Sequence, residues 1–168
     1  MYKNINKYMI AGMIFTLVTG TLLHFVYGWS GSNSIVGLFS PVNESVWEHL
    51  KLLYYPMTIW VFAGFFKYGR QNPNYFFSAI AGLISGLIII PALYYAYTAV
   101  VGTNYLAVDI IIYIIGTCIS FFVMGYVLKN YNIRALSVKG GILLWEFFFI
   151  LFALFTIFPP ALPLFQAP

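Results

Sequence analysis

Residues 44–51 place two carboxylates, Glu44 and Glu48, an imidazole, His49, and an ammonium, Lys51, in one short run. The whole chain has 4 acidic residues and 2 histidines, so half of each falls here. His24, Glu48, His49 and Asp109 are ligand types for a divalent zinc, manganese or iron ion. A water bound to such an ion is a nucleophile at neutral pH. Glu44 is then the candidate general base and Lys51 the candidate group facing a developing oxyanion. Glu146 stands apart as a candidate proton relay. No H-E-x-x-H pair or other diagnostic metal motif is present, and the sequence offers no site for an organic cofactor.

Charges in an apolar setting cost several kcal/mol unless paired, and the setting here is apolar. Hydrophobic residues make up 62% of the chain and charged residues 7%, against about 25% in a soluble domain. With 168 residues there is little room for a water-soluble domain beside the apolar segments. The expectation is an all-α, polytopic integral membrane protein in one domain, residues 1–168. Cys118 is the sole cysteine, which excludes an intramolecular disulfide and suits a packing role. The net charge of +4 is spread over connections rather than gathered on one face, so nucleic acid is not an expected partner.

A membrane-crossing helix needs roughly 20 mainly apolar residues, and five segments qualify: about 8–29, 45–66, 75–101, 105–128 and 140–158. The alternating pattern of a membrane barrel is absent. The first segment has too long an apolar core for a signal peptide and no small-x-small cleavage site after it, so it reads as an uncleaved helix. Lys3, Lys7, Lys67, Arg70, Lys129, Arg134 and Lys139 all fall on one side of a five-helix topology. That side is cytoplasmic by the positive-inside rule, with the N-terminus inside and the C-terminus outside. Lys51 is the one basic residue on the other side.

This topology puts His24, Glu44, Glu48, His49 and Asp109 near the extracytoplasmic face and Glu146 deeper, roughly 10 Å from Lys139. At about 100° per residue, Glu44, Glu48, Lys51 and Tyr55 fall within about 60° of one another, with His49 at the edge of the stripe. Gly12, Thr16, Gly20 and His24 form a small-residue row that permits close helix approach. Tyr105, Asp109, Tyr113, Gly116 and Ser120 form a seam on the fourth helix. Ser78, Gly82, Ser85 and Gly86 line the third, where Pro91 predicts a kink. A plainer account of the charged run also exists. Ser45-x-x-Glu48 fits a capping box, Asn43 is an alternative N-cap, and Lys51 would snorkel to the headgroups. Against it, residues 52–66 span only about 22 Å of a roughly 30 Å core, which draws Glu48 and His49 below the interface.

The run Phe39-Ser40-Pro41-Val42-Asn43-Glu44-Ser45-Val46-Trp47-Glu48-His49-Leu50-Lys51 resembles the PVNES-x-WEH-x-K signature of a family of small, functionally uncharacterised bacterial membrane proteins. His24-Phe25-Val26-Tyr27 and Pro159-Pro160-Ala161-Leu162-Pro163-Leu164-Phe165 resemble that family too, so the likeness covers nearly the whole chain. The family's tail often carries an acidic residue where Ala167 stands here. The resemblance implies a bacterial cytoplasmic membrane and carries over no activity.

Two functional classes follow from the residues. One is a metal-binding membrane hydrolase acting on a lipid or lipid-linked substrate, since the candidate site lies near the outer leaflet. A looser likeness to membrane hydrolases of the alkaline ceramidase type does not extend to residue spacing. The other is a proton- or cation-coupled small-molecule carrier, with Glu146 as a relay and a homo-oligomer making up for the small number of helices. A non-catalytic membrane accessory subunit is the third possibility, with the cluster fixing structure through salt bridges. The expected partners are the lipid bilayer, a lipid or small-molecule ligand, and further copies of the chain.

Overall fold

The computed structural model describes residues 2–131 and 138–168, and among them the only regular elements are helices. Seven are α-helical: α1 (Tyr2–Trp29), α2 (Ser34–Gly37), α3 (Val46–His49), α4 (Lys51–Phe65), α5 (Tyr75–Val101), α6 (Leu106–Asn130) and α7 (Val138–Ile157). Short 3₁₀ turns at Gly69–Gln71 and Pro163–Phe165 complete the set. Four stretches are long and apolar enough to cross a membrane: Ile5–Trp29, Tyr75–Val101, Leu106–Asn130 and Val138–Ile157. Their outward faces carry large apolar side chains such as Ile88, Val100, Leu106 and Phe122. Soluble proteins do not tolerate so continuous an apolar surface, whereas hydrocarbon accepts it. Arg134, one of the basic residues used to orient the chain, lies outside the described residues.

The second expected helix, 45–66, differs from a single span. It is divided at Leu50 into α3 and α4, and the 15 residues of α4 fall short of a crossing length on their own. Leu50 itself keeps helical dihedrals, φ −62° and ψ −22°. Element α2 was not anticipated. It is capped by Asn33, whose side chain accepts from the Ile35 and Val36 amides, and it begins the strap that returns from α1 to α3.

Helix α4 sits at the centre of the bundle, with Leu53, Met57 and Val61 fully buried. Its Pro56 has no amide proton, so the Leu52 carbonyl loses its partner one turn earlier. Tyr113 of α6 supplies the missing donor: its hydroxyl lies 3.2 Å from the Leu52 carbonyl and 2.9 Å from that of Thr16. Gly20 makes this junction possible. A Cβ there would stand 2.4 Å from the Leu52 carbonyl oxygen, so only glycine lets α1 approach at that point. The small-residue row on α1 thus faces α4 and α6, as its spacing predicts.

Helices α5 and α6 approach closely at small residues. A Cβ on Gly82 would lie 2.4 Å from the Ser120 carbonyl oxygen, and one on Gly116 would strike Ile90. Pro91 lies inside α5, which continues as one helix to Val101. Helix α7 is held through polar contacts at α4. Tyr54 donates to the Trp145 carbonyl at 2.8 Å and the Trp145 indole donates to Thr58 at 2.7 Å.

Candidate functional site

The charged run separates into two constellations that share a helix start. Ser45 is the N-cap of α3 and accepts from the Glu48 amide at 3.4 Å. The Glu48 side chain does not complete the capping box. The Ser45 amide instead donates to the Asn43 side chain at 2.9 Å, which closes a tight turn and leaves Glu44 outside the helix. Glu48 is then free to point inward, where it is 2% exposed.

Inside, Glu48 meets Lys51, which is 0% exposed, with Nζ 2.6 Å from Oε2. The same oxygen accepts from the Val42 amide at 2.9 Å. The other carboxylate oxygen lies 2.9 Å from the hydroxyl of Thr156 on α7, which also reaches the Phe152 carbonyl at 2.8 Å. Lys51 directs its two remaining protons to the Gly37 carbonyl at 2.8 Å and the Ser40 carbonyl at 3.4 Å. All three ammonium donors and both carboxylate oxygens are thereby engaged. One turn further on, Tyr55 donates to the Leu38 carbonyl at 2.6 Å. Of the predicted stripe Glu44, Glu48, Lys51 and Tyr55, the last three face inward and grip the backbone of the strap 37–42, whereas Glu44 stays outside.

Ser40 ties the same strap to α1. Its hydroxyl donates to the Leu23 carbonyl at 2.6 Å and accepts from the Tyr27 amide at 3.1 Å. Those two backbone groups are the pair an undisturbed helix would join to each other, so Ser40 inserts into the ladder at the turn that carries His24. Ser40 and Thr156 were not singled out in the sequence. An isolated serine or threonine in an apolar chain most often bonds its own helix, and nothing in the spacing marks these two as different.

The second constellation is His24, Glu44 and His49. One ligand atom from each lies within 4.8 Å of the other two. The three arrive from separate elements: the last turns of α1, the turn before α3, and the end of α3. The His49 Nδ1 lies 2.9 Å from the Ser45 carbonyl oxygen, which can only accept, so Nδ1 carries a proton. The Nε2 lone pair of neutral His49 is thereby turned toward Glu44, whose Oε2 is 3.4 Å away. Two acceptors face one another there, and the pair is favourable only with a cation between them, either a proton on Nε2 or a metal ion. The His24 and His49 rings lie alongside, with centroids 5.1 Å apart, and the Nδ1 of His24 is buried without a hydrogen-bond partner. The group opens outward, since the Glu44 side chain is 67% exposed and that of His49 31%. Trp47 of α3 packs against Phe152, Phe155 and Phe165, so the C-terminal segment folds over α3.

The other predicted site residues lie elsewhere. Asp109, in the first turn of α6, accepts from the Tyr97 hydroxyl at 2.5 Å and from the Asn104 side chain at 3.1 Å. That network closes the α5–α6 connection and is separate from the two histidines. Glu146 is exposed on α7, and among the described residues no hydrogen bond or ion pair connects it to either constellation.

The chain belongs to the family described as a family of unknown function (DUF6512), which it matches over residues 1–168. Neither a curated protein nor a solved structure matches it.

Proposed function

We propose that this member of that family is a five-span membrane protein that binds one divalent transition-metal ion, zinc above all, through His24, Glu44 and His49. The observation that carries the proposal is the pairing of the His49 Nε2 lone pair with the Glu44 carboxylate, fixed by the Ser45 carbonyl on the far side of the ring. A backbone carbonyl that sets the tautomer of a histidine is the usual support behind a metal ligand. The 3.4 Å separation also fits: tetrahedral zinc with bonds of about 2.0–2.1 Å places its ligands about 3.3 Å apart. His24 supplies the third ligand, its ligand atom within 4.8 Å of the other two.

Two imidazoles and one carboxylate leave at least one coordination position open. That donor set supports hydrolysis of a lipid or lipid-linked substrate at the outer leaflet, with the ion supplying an activated water when bound. Lys51 and Glu48 support it from behind by holding the strap that carries Glu44; their polar atoms are already engaged. The five-span reading rests on α3 and α4 acting as one rod of about 30 Å, since Leu50 stays helical between them. With the basic residues gathered at the other end, the site faces the extracytoplasmic side of what the signature implies is a bacterial cytoplasmic membrane. A cation-coupled carrier is the alternative. It draws on the exposed carboxylate of Glu146 within α7, and proton-driven uptake into liposomes that survives Glu146→Gln would remove that residue from it.

Metal analysis of protein purified in mild detergent without chelators tests the main proposal. We expect close to one zinc per chain after loading and dialysis, and a loss of at least tenfold in His24→Ala or His49→Ala. Asp109→Asn is expected to retain the metal. Wild-type protein that retains no stoichiometric metal after loading would overturn the proposal.

A further inference from the structure

At the opposite end of the bundle from the histidines, α1 and α6 part to leave a groove of about 470 Å³. Its floor is Met9, Met13 and Phe121, and its rims are the exposed side chains of Ile10 on α1 and Phe122 on α6. Cys118 closes the deep end, its thiol 3.4 Å from the Met13 sulfur. At the shallow end the lining turns polar, with Asn6, Lys129 and Asn130. From Cys118 to Lys129 the groove runs about 16 Å along α6, roughly half of a 30 Å hydrocarbon core and so the depth of one leaflet.

We infer that this groove holds one acyl chain of an anionic phospholipid, with the headgroup phosphate on Lys129 and Asn6. Three observations carry this. The lining is apolar along its length and polar only at its mouth, which is the pattern of a lipid and not of a water-filled cavity. Lys129 contacts the side-chain carbonyl of Asn6, and among the described residues no carboxylate neutralises it. The acidic residues explain why: Glu44, Glu48 and Asp109 all lie at the other end and Glu146 lies within α7, so this end carries cations without counter-ions. A cation next to the bilayer surface attracts anionic headgroups. The second groove of the bundle, between Thr19, Leu23, Phe39, Tyr55 and Ile59, has no charged residue in its lining and is expected to show no headgroup preference.

Reconstitution in nanodiscs of equimolar phosphatidylglycerol and phosphatidylcholine with matched acyl chains, followed by native mass spectrometry in mild detergent, tests the inference. Wild-type protein is expected to keep one phosphatidylglycerol per chain in several-fold preference to phosphatidylcholine. Lys129→Gln is expected to cut that preference at least fivefold. Lys67→Gln, which removes a charge from the same end but outside the groove, is expected to leave it unchanged. Met13→Trp, which fills the groove, is expected to lower retention of both lipids. Equal retention of the two lipids by wild type, or equal losses in the Lys129 and Lys67 variants, would overturn the inference. The wild-type comparison stands alone if a variant fails to fold. None of these readouts depends on the metal site.

Discussion

Replacing Lys51 with methionine keeps most of the side chain's apolar stem and removes its charge. The variant leaves the Glu48 carboxylate 2% exposed, with only the Val42 amide and the Thr156 hydroxyl for company. It also strips the Gly37 and Ser40 carbonyls of their donor. Removing one partner of a buried ion pair costs about 3–5 kcal/mol, because the remaining charge is desolvated and uncompensated. For a chain of this length each kcal/mol corresponds to about 2–4 °C, so Lys51→Met should lower the melting temperature by roughly 6–20 °C. Thermal unfolding in one detergent, followed by circular dichroism, measures this. The double variant Glu48→Gln/Lys51→Met removes both charges, and the glutamine oxygen can still accept from Val42. It should recover most of the loss, with a coupling of about 2 kcal/mol or more. A single variant that melts within about 2 °C of wild type would refute the reasoning, and so would a double variant no more stable than the single one.

Three further outcomes follow from other contacts. Tyr113→Phe removes the hydroxyl that faces the Leu52 and Thr16 carbonyls, leaves Leu52 without a donor and should destabilise by about 1–3 kcal/mol, while Pro56→Ala in the same chain restores an amide donor to Leu52 and should return part of it. Gly20→Ala should lower the melting temperature by several degrees, because its Cβ would stand 2.4 Å from a backbone oxygen; Gly28→Ala on the same helix meets nothing within 4 Å and should be neutral or slightly stabilising. Zinc retention, followed by equilibrium dialysis, should fall as the pH drops from about 7.5 to about 5.5, because the two imidazoles must lose their protons to ligate; retention that does not change with pH would exclude both histidines as ligands.

The reading of Ser45-x-x-Glu48 as a capping box contained part of the arrangement. Ser45 caps α3 through the Glu48 amide, as a box requires. The side chain of Glu48 takes no part in the cap, because pairing with a fully buried ammonium outweighs one amide hydrogen bond at a helix start. The snorkelling expected of Lys51 fails for the same reason: its length reaches the strap carbonyls inside the bundle, not the headgroups.

Composition and the length of the apolar runs determined that this chain is helical and where nearly all its helices lie, since a bilayer admits few alternatives to an apolar helix. The small-residue row on α1 likewise announced a close helix approach, because helical spacing is a local property; which helix would fill it was not legible. The sequence also marked 44–51 as the place where charge collects. It did not say how those charges would divide. That was decided by the strap 37–42, which brings backbone carbonyls to Lys51 and an amide to Glu48 and is tied to α1 by Ser40, and by Thr156, which arrives from a remote part of the chain. Once Glu48 and Lys51 satisfy each other inside, Glu44 and His49 remain at the surface beside His24, and Asp109 is drawn to Tyr97 instead. Hydrogen-bond satisfaction in a low-dielectric interior is a property of three-dimensional neighbours, and only the tertiary structure supplies them.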